Sequence, residues 1–443
     1  MGWTFRPDWT RPAAVGALVV AACLRSSAAL AQTPTPAPTP TPIPGVENPS
    51  AASADDARVR AEVERQMKLA EANRWSAGLN RNGGGAFLRS PDGKIYFRLY
   101  GYAQPLFTLT DSTNGQAFGT TDFRIRRARL DFSVDYDDIW KLFLEIDAQA
   151  SGGGTSLVEG YGQASYIRGR HFVRFGKYIT PFSAENLRSS RALDTIERFI
   201  ALNTMFGLPG LDVQFGPMLW GYADAGKKVS YFVGVFDGNA SAASTTVNGQ
   251  GGNARDNNKQ KEFQTRLNFQ PWKELAIGVA FDYDQELDQN LQISSYSGAR
   301  FLAVPVRGKR RGFDADLHWK KDACSFDSEW LRVAFPDNPS NAHRDVQLDG
   351  GYAQVAYWVS GGEARGLQGL LRGEYARLQG AAVSALNGQT IVAVTAGVNL
   401  WFNGWTRLQV NAIEEHVDGN GNGGYTGGAK WRATLLTELQ VKF

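Results

Sequence analysis

Three arginine residues lie close together in a stretch that otherwise alternates apolar and polar residues. Arg127 and Arg129 share the polar parity, whereas Arg126 has the apolar parity and is expected at the rim of its element. Guanidinium groups carry a rigid fork of donors that matches the oxygens of phosphate bidentately. The cluster therefore predicts a site that attracts small anions.

A second group of donors lies in the long connection over residues 179–209. Ser189 and Ser190 offer hydroxyl groups, and Arg198 follows them. The same connection is rich in apolar residues such as Phe182, which is unusual for a free surface loop. Because long loops in compact domains are usually functional, we expect this one to fold inward and form a constriction.

Carboxylates on neighbouring segments give these arginines a simpler interpretation. The arginines would then pair across strands with Asp131, Glu145, Asp147 and Glu159, and only satisfy a polar interior. Acidic residues with inward parity on the opposite segments would favour cations; they are Asp282, Asp284, Asp314, Asp316, Asp327 and Glu329. The sequence thus predicts a polarised interior, with arginine on one side and carboxylates on the other.

The elements that position these residues follow from the hydrophobic period, which becomes two after Gly93. Trp140, Leu142, Leu144 and Ile146, for example, alternate with Lys141, Phe143, Glu145 and Asp147. One apolar and one polar face over about ten residues is typical of a transmembrane β-barrel with lipid outside and water inside. A soluble β-sandwich would alternate as well, so the connections must distinguish the two.

The connections alternate between short turns and long loops, which is the pattern of outer-membrane barrels. We therefore expect an all-β fold, a transmembrane antiparallel β-barrel of about 16 strands within 93–443. The apolar run Phe301–Val306 is assigned to a loop, because a seventeenth strand would break the parity. The predicted strands are 94–109, 121–136, 139–149, 157–168, 170–178, 210–217, 228–237, 261–270, 274–284, 311–319, 324–334, 349–359, 368–379, 389–402, 405–416 and 431–443.

The residues before the barrel indicate export. Residues 1–31 have a basic start, a short apolar run and the small-x-small motif Ala29-Leu30-Ala31, which are typical of a signal peptide. Lipoprotein processing at Cys23 is the alternative. The final Phe443 closes an alternating strand and resembles the terminal signal of outer-membrane proteins. The predicted location is the outer membrane of a Gram-negative bacterium.

Two further segments separate the signal peptide from the barrel. Residues 32–52 are proline-rich and predict an extended linker. Residues 53–79 predict a helical segment, in which Val59, Val63 and Met67 recur on one face. A short periplasmic coiled coil and a single solvated helix both fit this pattern.

Composition narrows the function classes. The 47 basic and 44 acidic residues nearly balance, so any preference for anions must be local. After residue 31 no apolar run reaches the 18 residues of a helical membrane span. Cys324 would then be the one cysteine left, and none of the 4 histidines lies in a catalytic or metal-binding motif. We expect neither an enzyme nor a cofactor or metal site.

The sequence resembles the phosphate-selective porin O and P family over about 93–443. The motifs that carry the resemblance are Phe123–Leu130, Gly176–Glu185, Ser189-Ser190 with Ile196–Arg198, Gly351-Tyr352 with Tyr357, and Gly397–Leu408. The resemblance implies a sixteen-stranded barrel, usually a homotrimer, with an inward third loop and an anion site for phosphate or polyphosphate. Its expected surroundings are outer-membrane lipid and lipopolysaccharide, and no nucleic acid partner is implied.

Carried over by position, the site residues implied by the resemblance include the pair Arg126 and Arg127 and the acidic lumenal residue Glu159. The loop contributes Ser189, Ser190 and Arg198. Two positions depart from the family pattern: Asn186 stands where a lysine is expected, and Arg129 where a tyrosine is expected. The departures leave a general or cation-tolerant porin as an alternative, and an outer-membrane anchor or adhesin as another.

Overall fold

The computed structural model describes residues 54–80, 84–110, 120–150, 154–206, 208, 211–238, 260–298, 301–383, 388–419 and 430–443. The predicted signal peptide over 1–31 and the predicted linker over 32–52 lie outside these ranges. The chain divides into two compact units, Met1–Met67 and Lys68–Phe443.

The N-terminal helix α1 spans Ala54–Ala72. Its apolar stripe is exposed, with Val59 at 62%, Val63 at 51% and Met67 at 60%. No described helix combines the length and the apolar character that a membrane crossing requires. The predicted helical segment, 53–79, was too long: the helix ends at Ala72, and residues 76–79 form a strand.

That strand, β1 (Ser76–Leu79), pairs with β2 (Ala86–Arg89), and β2 pairs with the start of the barrel. Ser76 and Gly78 are poor helix formers, and antiparallel pairing satisfies the backbone groups of this segment instead. The hairpin was not predicted, because four-residue strands are too short to show a clear period.

Sixteen antiparallel strands form the barrel within the described ranges, and the last strand pairs with the first of them. Each predicted strand corresponds to one of these strands, so the predicted fold class is confirmed. They are β3 (Ile95–Thr110), β4 (Thr120–Tyr136), β5 (Trp140–Ala150), β6 (Gly154–Ile167), β7 (His171–Ile179), β8 (Val213–Tyr222), β9 (Val229–Phe236), β10 (Glu262–Trp272), β11 (Leu275–Leu291), β12 (Val304–Lys321), β13 (Cys324–Phe335), β14 (Val346–Gly362), β15 (Arg365–Gln379), β16 (Gln389–Asn403), β17 (Thr406–Gly419) and β18 (Lys430–Lys442).

Several strand boundaries differ from the sequence prediction, and the start of β12 is among the largest differences. Val304, Pro305 and Val306 were assigned to a loop, but they extend the start of β12 and pair with Leu291, Asn290 and Gln289 of β11. The parity of the barrel is preserved, because this apolar run lengthens an existing strand instead of adding one.

Burial follows the two faces of the strands. Outward residues such as Leu142, Ile146 and Phe175 are exposed, whereas inward residues such as Glu145 and Asp147 are buried. A water-soluble protein would show the reverse arrangement, with its apolar face in the core. The outer surface is therefore suited to hydrocarbon and the interior to polar side chains.

The long connection between β7 and β8, over 180–212, folds into the barrel. It carries two short helices, α2 (Ala184–Leu187) and α3 (Ile200–Met205). Phe182, Phe199 and Leu202 are completely buried in a large apolar cluster. We call this segment the inward loop. Its predicted position inside the barrel agrees with the burial of its apolar residues.

The connection over 292–303 also enters the barrel, which the sequence did not predict. Ile293 and Phe301 belong to the same apolar cluster as the inward loop. The wall behind the cluster is supplied largely by inward residues of β13 to β17, such as Leu331, Leu348 and Ile391. The interior near these strands is therefore filled by apolar side chains, whereas a cavity remains beside β3, β5, β6 and β7.

Candidate functional site

A β-bulge in β4 places two consecutive arginines inside the barrel. Gln104 pairs with Arg127 and Pro105 pairs with Ile125, so that Arg126 has no cross-strand partner residue. Proline has no N–H to donate, and a bulge inserts one residue and re-aims the side chains beside it. The expectation that Arg126 lies at the rim was therefore wrong, because alternation is interrupted at this position.

The two arginines have different partners. Arg126 forms an ion pair with Glu197 of the inward loop. Arg127 is buried and donates from Nη1 to Oε1 of Gln104 at 3.2 Å. Gln104 in turn donates to Oε1 of Gln440 at 3.0 Å. Arg126 thus anchors the loop to the wall, whereas Arg127 donates to a neutral amide.

Arg129 matches the simpler interpretation of the cluster. It forms an ion pair with Glu145, and its Nε lies 3.3 Å from Oδ2 of Asp147 on the neighbouring strand. Both carboxylates are buried. The charge of Arg129 is therefore compensated by carboxylates of the neighbouring strand. Of the three arginines, only Arg126 and Arg127 are left to attract an anion.

The loop residues Ser190 and Arg198 contact each other. Arg198 is buried and donates from Nη1 to Oγ of Ser190 at 3.1 Å and from Nη2 to the carbonyl of Arg188 at 2.9 Å. Burial lowers the pKa of the Arg198 guanidinium. Ser189 is exposed beside them, at the start of a 3₁₀ turn. Arg198 and Ser190 therefore hold the shape of the loop.

Asn186, at the position where the family resemblance implied a lysine, is completely buried. Its Nδ2 donates to the carbonyls of Leu211 at 3.4 Å and Asp212 at 3.3 Å, at the far end of the inward loop. Burial raises the pKa of the Asp212 carboxyl to about 6. The amide closes the base of the loop and does not reach toward solute.

Glu159 lines a cavity of about 250 Å³ between the inward loop and the wall. Its Oε2 accepts from the N–H of Ile179 at 3.3 Å. The other lining residues are largely aromatic or basic: Tyr100, Lys141, Phe143, Tyr161, Arg174, Ile179 and Leu187. The cavity therefore combines one carboxylate with two basic groups and three aromatic rings.

Two arginines that sequence reasoning missed stand on these rings. The Cζ of Arg174 lies 4.1 Å from the ring centre of Tyr161, and the Cζ of Arg191 lies 4.8 Å from that of Tyr100. Both are partly exposed. No carboxylate pairs with either of them among the described residues. The inward parity of Arg174 on β7 was the signal that could have identified it.

The acidic residues of the opposite wall are buried around two arginines that were not singled out from the sequence. Arg310 lies 2.8 Å from a carboxylate oxygen of Glu262 and of Asp282, and it also pairs with Asp284 and Glu286. Arg266 lies 3.1 Å from Oδ1 of Asp314 and pairs with Asp316. These carboxylates are therefore neutralised in part, and all of them except the partly exposed Asp316 are withdrawn from solvent.

The remaining carboxylates of that wall hold the inward loop. Glu329 accepts from the N–H of Glu185 at 2.9 Å and from the hydroxyl of Ser183. Arg372 donates to Oε1 of Glu185 at 2.9 Å, and Asp327 lies 3.9 Å from Arg188. The expected acidic side of the interior is thus a set of loop anchors, and the predicted cation-attracting surface is largely buried.

A closed antiparallel barrel with an apolar exterior, a polar interior and a loop folded into it defines an outer-membrane porin. The chain belongs to the family described as phosphate-selective porin O and P, whose model matches residues 97–443. The family resemblance read from the sequence is confirmed. No curated protein sequence matches the chain.

Solved structures of outer-membrane proteins share the fold. The trimer form of OmpT from Vibrio cholerae is 13% identical with a TM-score of 0.53 and covers 79% of this chain and 100% of its own. The channel DcaP of Acinetobacter baumannii is 12% identical with a TM-score of 0.53 and covers 79% and 98%. OmpF of Salmonella typhi is 10% identical with a TM-score of 0.52 and covers 80% and 98%. At these identities the likeness extends to the fold alone.

Proposed function

We propose that this porin lets small hydrophilic solutes diffuse passively through the outer membrane and that it prefers anions such as phosphate. The observation that carries the proposal is the unequal exposure of its charges. Arg174 and Arg191 stand partly exposed beside the cavity, whereas the carboxylates around Arg310 are buried, as is Asp314 beside Arg266. A passing ion is influenced most by the charges that it can approach.

The paired arginines of β4 support the same preference for anions at a second position in the barrel. Arg127 has a neutral hydrogen-bond partner, and Arg126 is compensated by Glu197. Together they leave positive charge where the inward loop meets the wall. The constriction that we propose consists of Arg126, Arg127, Arg129, Glu159, Ser189, Ser190 and Arg198, with Arg174 and Arg191 added from the structure.

The strength of phosphate binding is a separate matter. In tight sites, several donors converge on the phosphate oxygens. Here Asn186 and Arg198 are turned toward backbone carbonyls, and Arg129 is paired with two carboxylates. We therefore propose an anion-preferring channel that binds phosphate weakly during passage.

Conductance of the purified full chain in planar bilayers tests this function. We expect discrete channel openings, a reversal potential in a salt gradient that reports anion preference, and a reduced chloride current when phosphate is added. Cation preference without any effect of phosphate would refute the anion preference and support a general, cation-tolerant porin. In that case the carboxylate of Glu159 in the cavity would attract the cations. A protein that inserts without conducting would support the anchor or adhesin instead.

We also propose that the chain forms a homotrimer whose helices α1 associate as a coiled coil. The exposed stripe of Val59, Val63 and Met67 supports this association. Multi-angle light scattering of the full chain would test it, with Val59→Asn/Val63→Asn as the variant and Ala61→Gln, on the opposite side of the helix, as the control. A full chain that is monomeric would contradict the trimer. A trimer unaffected by the double variant would contradict the role of the helix.

A further inference from the structure

A group of basic residues projects from the outer surface of the barrel near its long-loop rim. Lys309 and Arg311 lie on β12, Arg332 on β13 and Arg377 on β15, and we call these four residues the basic belt. Their outward orientation follows from parity. The alternate residues Arg310, Leu331 and Leu378 are buried, whereas Lys309, Arg311 and Arg377 are exposed.

The strand register brings the belt together. Arg332 pairs with Asp349 of β14, and Asp349 pairs with Arg377, so the two arginines lie two strand spacings apart, roughly 10 Å. Arg311 is opposite Ala334, which makes it a diagonal neighbour of Arg332. The belt is therefore a local patch on three of four consecutive strands.

One carboxylate orders the patch without neutralising it. Asp349 is buried, pairs with Nε of Arg332 and accepts from Nε2 of Gln347 at 2.8 Å. Among the described residues no carboxylate pairs with Lys309, Arg311 or Arg377. Three cations therefore remain available on a surface that faces the membrane.

The surface below the belt is aromatic and then aliphatic. The Cζ of Arg332 lies 5.3 Å from the ring centre of Trp330, and the rings of Trp330 and Phe313 are 5.9 Å apart. Further from the rim, Val355 and Leu371 are exposed on the same face. A cationic rim above an aromatic band and an apolar surface is complementary to a lipid with an anionic headgroup.

We propose that the basic belt binds the phosphorylated saccharide headgroup of an outer-leaflet glycolipid, whose acyl chains lie along the aromatic and aliphatic surface below. The long-loop rim of such barrels faces the outer leaflet, which places the belt at headgroup depth. Guanidinium groups bind phosphate bidentately, and Lys309 contributes a further point charge. Because the belt lies outside the lumen, this binding is independent of solute passage.

Native mass spectrometry of the full chain in detergent, titrated with lipid A or with dephosphorylated lipid A, tests the proposal. We expect the full chain to prefer the phosphorylated lipid. We expect Lys309→Gln/Arg311→Gln/Arg377→Gln to bind it about a hundredfold more weakly, because three charges near an anionic lipid surface are lost. The matched control Lys320→Gln/Lys321→Gln removes two exposed lysines at the short-turn end of β12 and should bind normally.

Three results would overturn the proposal. The first is a triple variant whose affinity for lipid A equals that of the full chain. The second is equal binding of the two lipids, or displacement of lipid A by inorganic phosphate at comparable concentration. The third is a triple variant that loses its oligomeric state while it keeps lipid A, which would make the belt an interface between copies. Unchanged ion selectivity of the triple variant would verify its fold and keep this test separate from that of the proposed function.

Discussion

The two sides of the barrel interior use the same kinds of charged residue with opposite results. On the side of β3 to β9, Arg174 and Arg191 lie over tyrosine rings and remain partly exposed. On the side of β10 to β17, Arg310 and Arg372 are buried and paired with carboxylates. The comparison teaches that exposure and pairing, more than the number of charges, decide what a solute encounters.

The inward loop creates this difference. It fills the second side with apolar side chains, and its buried carboxylate Glu185 pairs with Arg372. The N–H of Ile200 donates to Glu374 at 2.7 Å, and the hydroxyl of Tyr296 donates to the carbonyl of Arg198 at 2.7 Å. These hydrogen bonds join the inward loop to the connection 292–303 and to β15. The cavity that remains lies on the other side, beside Tyr100, Phe143 and Tyr161.

Removing a buried ion pair on the side of β10 to β17 should have the largest effect on stability. Arg372→Gln removes the partner of Glu185 and leaves a buried carboxylate uncompensated, which costs about 3–5 kcal/mol. We expect a lower unfolding midpoint in detergent and larger, noisier conductance as the inward loop loosens. Arg168→Gln is the control, because its ion pair with Asp137 is largely exposed and should contribute less than about 1 kcal/mol. Equal behaviour of the two variants would contradict the anchoring role of Arg372.

Removing a charge beside the cavity should change ion selectivity without unfolding the protein. A unit charge about 7 Å from an ion in water attracts an anion by about 0.6 kcal/mol and repels a cation by the same amount, which together is about sevenfold in the anion-to-cation permeability ratio. We therefore expect Arg174→Gln to lower the anion-to-cation permeability ratio about sevenfold in bilayers. Arg174→Lys should preserve the ratio, and Glu159→Gln should raise it. An unchanged ratio in Arg174→Gln would remove Arg174 from the ion path.

The arginine pair of β4 tests how far burial reduces the effect of a charge on ion selectivity. We expect Arg127→Ala to shift the reversal potential toward cations by about half as much as Arg174→Gln, because Arg127 is more buried and does not line the cavity. The matched variant Arg127→Lys keeps the charge and should retain the selectivity. If alanine and lysine give the same reversal potential, the charge of Arg127 does not act on the ion path.

The loop serines should have the smallest effects on ion selectivity. Ser190→Ala removes the hydroxyl that accepts from buried Arg198, which should destabilise the loop by about 1–3 kcal/mol. Ser189 is exposed, so Ser189→Ala should leave the unfolding midpoint unchanged. Thermal unfolding and phosphate block of both variants separate a structural role from a binding role. Weaker phosphate block in Ser189→Ala at an unchanged midpoint would place this hydroxyl in contact with the anion.

Much of the barrel could be predicted from the sequence because its signal is periodic and local. Alternation in β5 or β17, for example, is visible in any ten-residue window and does not depend on distant contacts. The hairpin of β1 and β2 is too short for such a signal. The bulge at Arg126 could not be predicted either, since it is a property of the pairing between β3 and β4.

The candidate site was predicted in part for a similar reason. Residue types and parity placed Arg127 and Arg129 inside the barrel, but they could not assign their partners. Gln104, Asp147 and Glu197, which contact the arginines of β4, come from three other segments of the chain. Arg174 has the same parity signal and was missed, because an isolated arginine does not stand out in the sequence.

The sequence by itself determined the barrel, its strand count and the side of each strand that meets lipid, because backbone hydrogen bonding in a membrane allows so few alternatives. Tertiary structure alone decided which charges remain exposed to solute. That outcome depends on a second loop, 292–303, that enters the interior, and on carboxylates that meet Arg266 and Arg310 across strands. Such pairings are set by three-dimensional distance, which no local pattern encodes.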